Sequence, residues 1–143
     1  MNLQDILLKM TRFCAYKERC EADVQKKLSH YYLSVEETQQ IIKRLKEENY
    51  IHDQRYADAF VRGKFRQNKW GKIKIEQGLK QKNIPDQWIQ SSLQNIDEKA
   101  YRECCKELAT SKWARIKKGN DFEKGQKTAT YLMGKGYEPD IFW

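Results

Sequence analysis

The sequence contains no long apolar run and very little proline or histidine, with two residues of each. No segment approaches the roughly 20 apolar residues that a bilayer-spanning helix requires. Residues 1–9 also lack the basic-then-apolar order of a secretory signal. These absences argue against a membrane span and a secreted protein, so we expect a cytoplasmic location.

Cysteine and histidine are too few and too poorly spaced for a metal site or a redox pair. The four cysteines include the adjacent Cys104 and Cys105, which fit neither a C-x-x-C pair nor a zinc knuckle. Only His30 and His52 offer an imidazole. A glycine-rich phosphate loop and a nucleophile–base constellation are also missing. We therefore expect reduced thiols, no metal, no cofactor and no enzymatic activity.

Apolar residues recur at intervals of three and four along the whole chain, which is the period of the α-helix. Charged residues reach 34% against 39% hydrophobic residues, so the cores should be small and shallow. Ser34 with Glu37 forms a capping box, His52 lies at a helix boundary and Pro85 falls in a first helical turn. The sequence predicts an all-α protein, with an N-terminal helix followed by helices over residues 20–30, 34–48, 53–68, 71–82, 85–95, 97–115 and 121–135.

One local pattern occurs three times: a leucine, a large apolar residue five positions later, and then a helix start. The leucines are Leu28, Leu79 and Leu132, spaced by 51 and 53 residues. Three helices per unit are too few for independent stability, so neighbouring units should pack end to end. We predict an elongated array of three tandem three-helix repeats, 1–51, 52–96 and 97–143, of which the last could be incomplete.

Positive charge is concentrated in the middle of the chain. Residues 55–82 hold nine basic and two acidic residues, which is +7 of the net charge of +8. Such a local excess is typical of a surface that meets a polyanion. The candidate DNA- or recombinase-binding residues are Arg55, Arg62, Lys64, Arg66, Lys69, Trp70, Lys72, Lys74, Lys80 and Lys82.

A helical projection places four of these cations, at positions 55, 62, 66 and 69, in one row along about 21 Å of helix. The row suits a sugar-phosphate backbone and suits an acidic protein groove equally, because arginine pairs with phosphate and with carboxylate. Lys64 falls on the apolar face, where its stem can pack and its ammonium can emerge beside the next helix. Trp70 either stacks on a base or seals the helix junction.

A second, more dilute basic group spans the Gly119-Asn120 turn and is predicted to extend the same surface. Its members are Lys112, Arg115, Lys117, Lys118, Lys124 and Lys127.

The middle segment also carries a recognisable motif. It consists of residues 53–61 (DQRYADAFV) followed by Lys64, Trp70-Gly71, Lys74-Ile75, Leu79, Lys82 and Ile84. This motif resembles that of the RecX family, the regulators of the RecA recombinase. Further similarity to the family's first and third units lies in Leu28, Tyr50-Ile51, Gln126-Lys127, Leu132 and Lys135-Gly136-Tyr137.

The resemblance implies tandem three-helix units that bind in the helical groove of the RecA–DNA filament. It implies regulation of recombinase, ATPase and co-protease activities, mainly by inhibition, in DNA recombination, DNA repair and the SOS response. Binding to single- and double-stranded DNA and a monomeric state are expected too. One departure is that the chain stops at Trp143, six residues beyond Tyr137, where family members commonly complete another helix.

Two other classes of protein remain open at this point. An independent helix-turn-helix DNA-binding protein would use residues 71–82 as its recognition helix, although residues that read bases are sparse there apart from Gln77 and Gln81. A helical scaffold with no affinity for DNA or recombinase is the third.

Overall fold

The computed structural model describes residues 1–143, and all of its regular structure is helical. In chain order the elements are α1 (Leu3–Tyr16), α2 (Glu21–Leu28), a short 3₁₀ helix (Ser29–Tyr31), α3 (Val35–Glu47), α4 (Asp53–Arg66), α5 (Lys72–Gln81), α6 (Asp86–Leu93), α7 (Glu98–Arg115), α8 (Asp121–Gly134) and α9 (Pro139–Phe142). The all-α prediction is confirmed. We call α1–α3, α4–α6 and α7–α9 the first, second and third units.

The helix starts follow local capping chemistry. The Ser34 hydroxyl accepts a hydrogen bond from the Glu37 N–H at 3.0 Å, and the Glu37 carboxylate accepts one from the Ser34 N–H at 2.9 Å, as the capping box predicts. His52 caps α4 through its Nδ1, which confirms its boundary role. The prediction that Pro85 lies in the first turn of a helix is slightly wrong. Pro85 is the residue just before α6 and has an extended backbone.

Buried residues form three core clusters, each small, as the composition predicts. The first lies among α1, α2 and α3, the second among α4, α5 and α6, and the third among α7, α8 and the segment before α9. Cys20 is the exception, because it precedes α2 but is fully buried in the second cluster. The division of the chain at residues 51/52 and 96/97 stays a prediction.

The threefold sequence pattern has a common backbone geometry. Leu28, Leu79 and Leu132 are each buried, with 1% exposure or less. Four positions after each leucine, the chain adopts a left-handed conformation, with φ of 54° at Tyr32, 60° at Asn83 and 99° at Gly136. This conformation ends a helix and turns the chain into the next one. The pattern therefore marks one turn, repeated in each unit.

Side-chain ion pairs connect the first unit to the second. Arg55 Nε lies 2.8 Å from the Glu18 carboxylate, and its guanidinium also donates to the Asn49 carbonyl. Lys82 Nζ lies 2.7 Å from Asp23 Oδ1. Because both pairs join residues far apart in sequence, they fix the second unit against α2 and the segment that precedes it.

Backbone contacts connect the second unit to the third. The Gly71 N–H donates to the Lys135 carbonyl at 2.7 Å, and the Ile73 N–H donates to the Gly136 carbonyl at 3.0 Å. A Cβ on Gly71 would lie 2.3 Å from the Gly136 carbonyl carbon, so only glycine fits. Trp70-Gly71 of the central motif and residues 135–137, which carry the similarity in the third unit, are thus parts of a single junction.

No helix is long and apolar enough to cross a membrane. All four cysteines are free thiols, and burial raises the pKa of Cys14 and Cys105 to about 11.

Candidate nucleic-acid and protein interface

Trp70 organises the cluster formed by Lys64, Trp70 and Lys74, which we call the Trp70 cluster. Lys64 Nζ lies 4.7 Å from the centre of the indole ring and Lys74 Nζ lies 4.5 Å from it, both within range of a cation–π interaction. The half-buried ring packs edge-on against Phe60 in the second core. Trp70 therefore seals the junction between α4 and α5 while it holds two ammonium groups at the surface.

Lys64 behaves as the helical projection predicts. Its stem lies along the apolar side of α4, with Nζ 5.5 Å from the Phe60 ring centre, and the ammonium emerges next to α5. The position is half-buried and forms no ion pair with a carboxylate. It can therefore interact with an external anion without first breaking an internal salt bridge.

Four of the predicted binding cations are already engaged within the chain. Arg55 pairs with Glu18, Lys72 with Glu98 at 3.2 Å, Lys80 with Glu76 at 2.8 Å, and Lys82 with Asp23. Three of these pairs connect different units, which gives those cations a structural role. Fewer positive charges are therefore available to bind a partner than the net charge of +7 for residues 55–82 indicates.

The predicted row of four cations along one helix is wrong at its C-terminal end. Helix α4 ends at Arg66, and Lys69 lies in the following turn with a left-handed φ of 57°. The Lys69 carbonyl accepts a hydrogen bond from the Tyr137 hydroxyl at 2.9 Å, which fixes this turn on the third unit. The helix stops early because the chain must turn before Gly71 to meet the third unit.

Arg62 and Arg66 are exposed and form no ion pair. They line a depression between α4 and the end of α6 that also contains Asp58, Asn95 and Asp97. Asp58 accepts hydrogen bonds from Ser92 and Asn95. The two arginines therefore lie on a different side of α4 from Lys64, and the predicted binding residues do not form one continuous row.

The Asp23–Lys82 pair changes the ionisation of both partners. Burial disfavours the Asp23 carboxylate, but hydrogen bonds from Lys82 and the Cys20 N–H outweigh that cost, and the pKa of Asp23 falls below its ordinary value of 3.8. The same hydrogen bond raises the pKa of Lys82 above 10.5. Both groups are therefore charged at neutral pH.

The smaller basic group lies around the C-terminal end of α7 and the N-terminal half of α8. Lys112 Nζ is 5.2 Å and the Arg115 guanidinium carbon 5.9 Å from the centre of the Tyr131 ring, while Lys124 Nζ is 5.9 Å from that of Trp113. Lys117, Lys118 and Lys127 are exposed and form no salt bridge. The structure thus brings the predicted members to one end of the third unit, and their binding role stays a prediction.

The structure also reveals cations that sequence counting missed. Lys17, Arg19, Lys26 and Lys27 of the first unit lie in one cleft that Lys64 also lines. Residues 1–54 contain equal numbers of acidic and basic residues, so a net count conceals this surface. The signal in the sequence is local: Lys17 and Arg19 precede the short helix α2, and Lys26 and Lys27 lie in its last turn.

An array of stacked three-helix units defines a class, the tandem helical repeat proteins. Sequence profiles specify the family within that class. The profile of the RecX second three-helix domain matches residues 53–93, and that of the RecX third three-helix domain matches residues 100–143. The chain belongs to the RecX family.

Curated relatives agree with this assignment. Regulatory protein RecX of Limosilactobacillus reuteri is 28% identical over 134 residues, which are 94% of this chain and 51% of the relative. Regulatory protein RecX of Clostridium acetobutylicum is 30% identical over 123 residues, covering 83% of this chain and 56% of the relative. The chain spans about half the length of the curated relatives it matches.

Solved structures share the fold. A crystal structure of a regulatory protein RecX superposes with a TM-score of 0.90 at 26% identity, covering 98% of this chain and 70% of the other. The crystal structure of RecX from Lactobacillus salivarius superposes with a TM-score of 0.85 at 24% identity, covering 98% of this chain and 91% of the other. At this identity the similarity supports the fold alone.

Proposed function

We propose that this protein regulates the RecA recombinase, mainly as an inhibitor, by binding the RecA–DNA filament. The observation that carries the proposal is membership of the RecX family, whose three-helix profiles match both the second and the third unit. With this role we propose a cytoplasmic location and a part in DNA recombination, DNA repair and the SOS response. It requires no catalytic group and no cofactor.

The mechanism proposed is that the array lies across successive recombinase subunits as a monomer. The close contact between Gly71 and Gly136 supports this, because a fixed angle between the second and third units presents two surfaces at a constant spacing. The Trp70 cluster, Arg62 and Arg66 would face DNA, single- or double-stranded, as an accessory contact. A bridge across subunits blocks strand exchange, co-protease activity and filament growth at low stoichiometry.

The alternative of a helix-turn-helix protein that reads bases through α5 fits the geometry less well. A recognition helix contacts base edges with its N-terminal residues. In this chain the N-terminal end of α5 is covered, since the Ile73 N–H donates to the Gly136 carbonyl and the Lys72 N–H donates to the Tyr101 hydroxyl at 2.9 Å. These contacts with the third unit restrict the approach of the first turn of α5 to a groove.

The proposal is tested by measuring the DNA-dependent ATPase activity of RecA with increasing amounts of this protein. We expect the activity to fall at ratios well below one molecule per RecA monomer. An unchanged rate at a large excess would rule out the proposed function.

Charge-reversal variants test which surface takes part. Arg62→Glu/Arg66→Glu/Lys69→Glu should keep the fold, because exposed substitutions change stability by about 0.5 kcal/mol or less each, and should weaken inhibition strongly. The matched control is Lys9→Glu/Lys99→Glu/Lys106→Glu, which carries the same charge change on exposed residues that do not line the depression with Arg62 and Arg66. Equal inhibition by the two variants would exclude this face from the interaction.

A further inference from the structure

A cleft of about 590 Å³ lies between the first unit and the second. Residues from the end of α1 and from α2 form its walls, and α4 forms its floor with Ala59 and Gly63. A Cβ built on Gly63 meets no atom within 4 Å, so the floor is open rather than packed. The volume is within the range of ligand-binding pockets, which run from about 300 to 1,000 Å³.

The charges in this cleft are almost all positive and available. Its two acidic residues, Glu18 and Asp23, are both neutralised in the ion pairs with Arg55 and Lys82. Five other cations line the cleft and form no salt bridge within the chain: Lys17, Arg19, Lys26, Lys27 and Lys64. Such a concave surface concentrates the field of its charges and attracts a polyanion.

An aromatic platform stands beside these cations. The Arg19 guanidinium lies 3.9 Å from the centre of the Phe13 ring, and Arg19 Nε donates to the Phe13 carbonyl at 3.1 Å, which fixes its plane. The ring of Tyr16, which is 84% exposed, has its centre 6.0 Å from the carbon of the same guanidinium group. Exposed rings next to cations are the usual means of binding single strands, because bases stack on them while phosphates meet the cations.

We propose that this cleft binds a single strand of nucleic acid, with its phosphates at Lys17, Lys26 and Lys27 and a base stacked on Tyr16, which lies outside the cleft lining but beside Arg19. An acidic peptide would satisfy the cations but leaves the exposed ring without a partner, so the nucleic acid accounts for more of the site. The inference rests on the proposed function in that DNA is present in the filament. It adds a site that is separate from Arg62 and Arg66.

Lys64 connects the cleft to the Trp70 cluster. It lines the cleft, and its ammonium also lies against Trp70 in the Trp70 cluster. A strand that leaves the cleft along α4 therefore meets Lys64 and then Lys74 without crossing an acidic residue of α4 on that side.

The test is the affinity of the full chain, without RecA, for a fluorescent oligothymidylate at several salt concentrations. Lys17→Gln/Lys26→Gln/Lys27→Gln should bind at least tenfold more weakly at about 0.1 M salt, and the slope of log affinity against log salt should fall by about 2, at about 0.7 per lost phosphate contact. The matched control, Lys9→Gln/Lys99→Gln/Lys106→Gln, has the same net charge and should bind like the unmodified chain. Equal binding and equal slopes for the two variants would overturn the proposal.

The stacking contact is tested with Tyr16→Ala. This variant should bind oligothymidylate about tenfold more weakly, since stacking on one ring contributes about 1–3 kcal/mol per base, and should bind an abasic strand of the same length as before. If Tyr16→Ala weakened the binding of oligothymidylate and of the abasic strand equally, no base would stack on Tyr16. In a competition experiment, polyglutamate is added at the same concentration of charges as the strand. If it displaces the strand, the ligand of the cleft is an acidic protein segment and the proposal of a nucleic acid is wrong.

The two proposals fail separately. The binding assay contains no RecA. If the cleft variants bind DNA normally, the proposed cleft site is wrong, even if the protein inhibits RecA. A chain that binds DNA through the cleft but leaves RecA unaffected counts against the proposed function alone.

Discussion

The two junctions between consecutive units differ in what joins them. The first unit meets the second through the buried Cys20 and through two side-chain ion pairs that flank an open cleft. A Cβ on Gly63, in the floor of this cleft, would meet no atom within 4 Å. The second unit meets the third through backbone hydrogen bonds, and Gly71 and Gly136 approach so closely that a methyl group has no room. One junction leaves surface for a ligand, and the other fixes an angle.

This difference shows how a repeat array separates two tasks. The buried leucine and the left-handed turn recur in every unit, so they cannot account for the contrast. The contrast comes from which residues occupy the junctions. Ion pairs with Glu18 and Asp23 flank the first junction, whereas at the second the repeated turn carries Gly136, where the first unit has Tyr32, and this glycine packs against Gly71. If the comparison is correct, substitutions at the second junction should cost much more stability than those at the first.

The largest effect is expected from Gly136→Ala. The added Cβ would lie 2.4 Å from the Lys74 Cβ and 2.6 Å from the Lys74 nitrogen, at a residue whose φ of 99° already disfavours a side chain. We expect the free energy of unfolding to fall by about 3 kcal/mol, measured by urea denaturation. Gly134→Ala is the control, because its Cβ meets nothing within 4 Å. Similar results for both would mean that the junction is not tightly packed.

Tyr101→Phe should have the next largest effect. The buried Tyr101 hydroxyl accepts from the Lys72 N–H at 2.9 Å and donates to the Glu138 carboxylate, so it joins α5, α7 and the start of α9. Its removal leaves both partners unsatisfied, which costs about 2 kcal/mol. Thermal unfolding followed by circular dichroism measures the loss. The exposed Tyr16 serves as a control, since Tyr16→Phe removes a hydroxyl that contacts no other group and should leave the melting temperature unchanged.

Asp23→Asn tests the first junction and should cost less, about 1 kcal/mol, because solvent screens the Lys82 side of the pair. The pKa of Asp23 is lowered on folding, so its contribution is complete above the ordinary value of 3.8 and is lost as the pH falls below it. Stability measured from pH 7 to pH 2 should therefore decline less steeply in the variant than in the unmodified chain. A parallel decline would show that the carboxylate does not support the junction. Asp140→Asn, at an exposed residue, is the matched control.

Local patterns in the sequence were sufficient for the helices and the repeating turn. The Ser34 capping box and the buried leucines depend on neighbours within a few residues, and these features are where the sequence predicts them. Lys69 was misplaced because the end of α4 is set by contacts with the third unit, 68 residues away at Tyr137. A helical projection cannot detect such a partner.

The candidate site was harder to predict for a related reason. A count of charges identifies excess cations but cannot tell which of them have partners, and Arg55, Lys72 and Lys82 pair with carboxylates in other units. The same count hides the cleft, since the acids that balance its cations in the sequence are partly directed elsewhere in the fold. Glu18 is the clearest case, because although it lines the cleft it pairs with Arg55 rather than with the neighbouring Lys17.

Gly63→Ala is the smallest and most discriminating change. Gly63 lies inside α4, where alanine is favoured over glycine by about 1 kcal/mol, and the cleft leaves its Cβ without a contact. We expect the free energy of unfolding to rise by about 0.5–1 kcal/mol, measured by urea denaturation beside Gly71→Ala, which should lower it because the new Cβ would meet the Gly136 backbone. Opposite signs for two glycines eight residues apart would follow directly from an open first junction and a closed second one, whereas a loss at Gly63 would mean that the cleft is filled in solution.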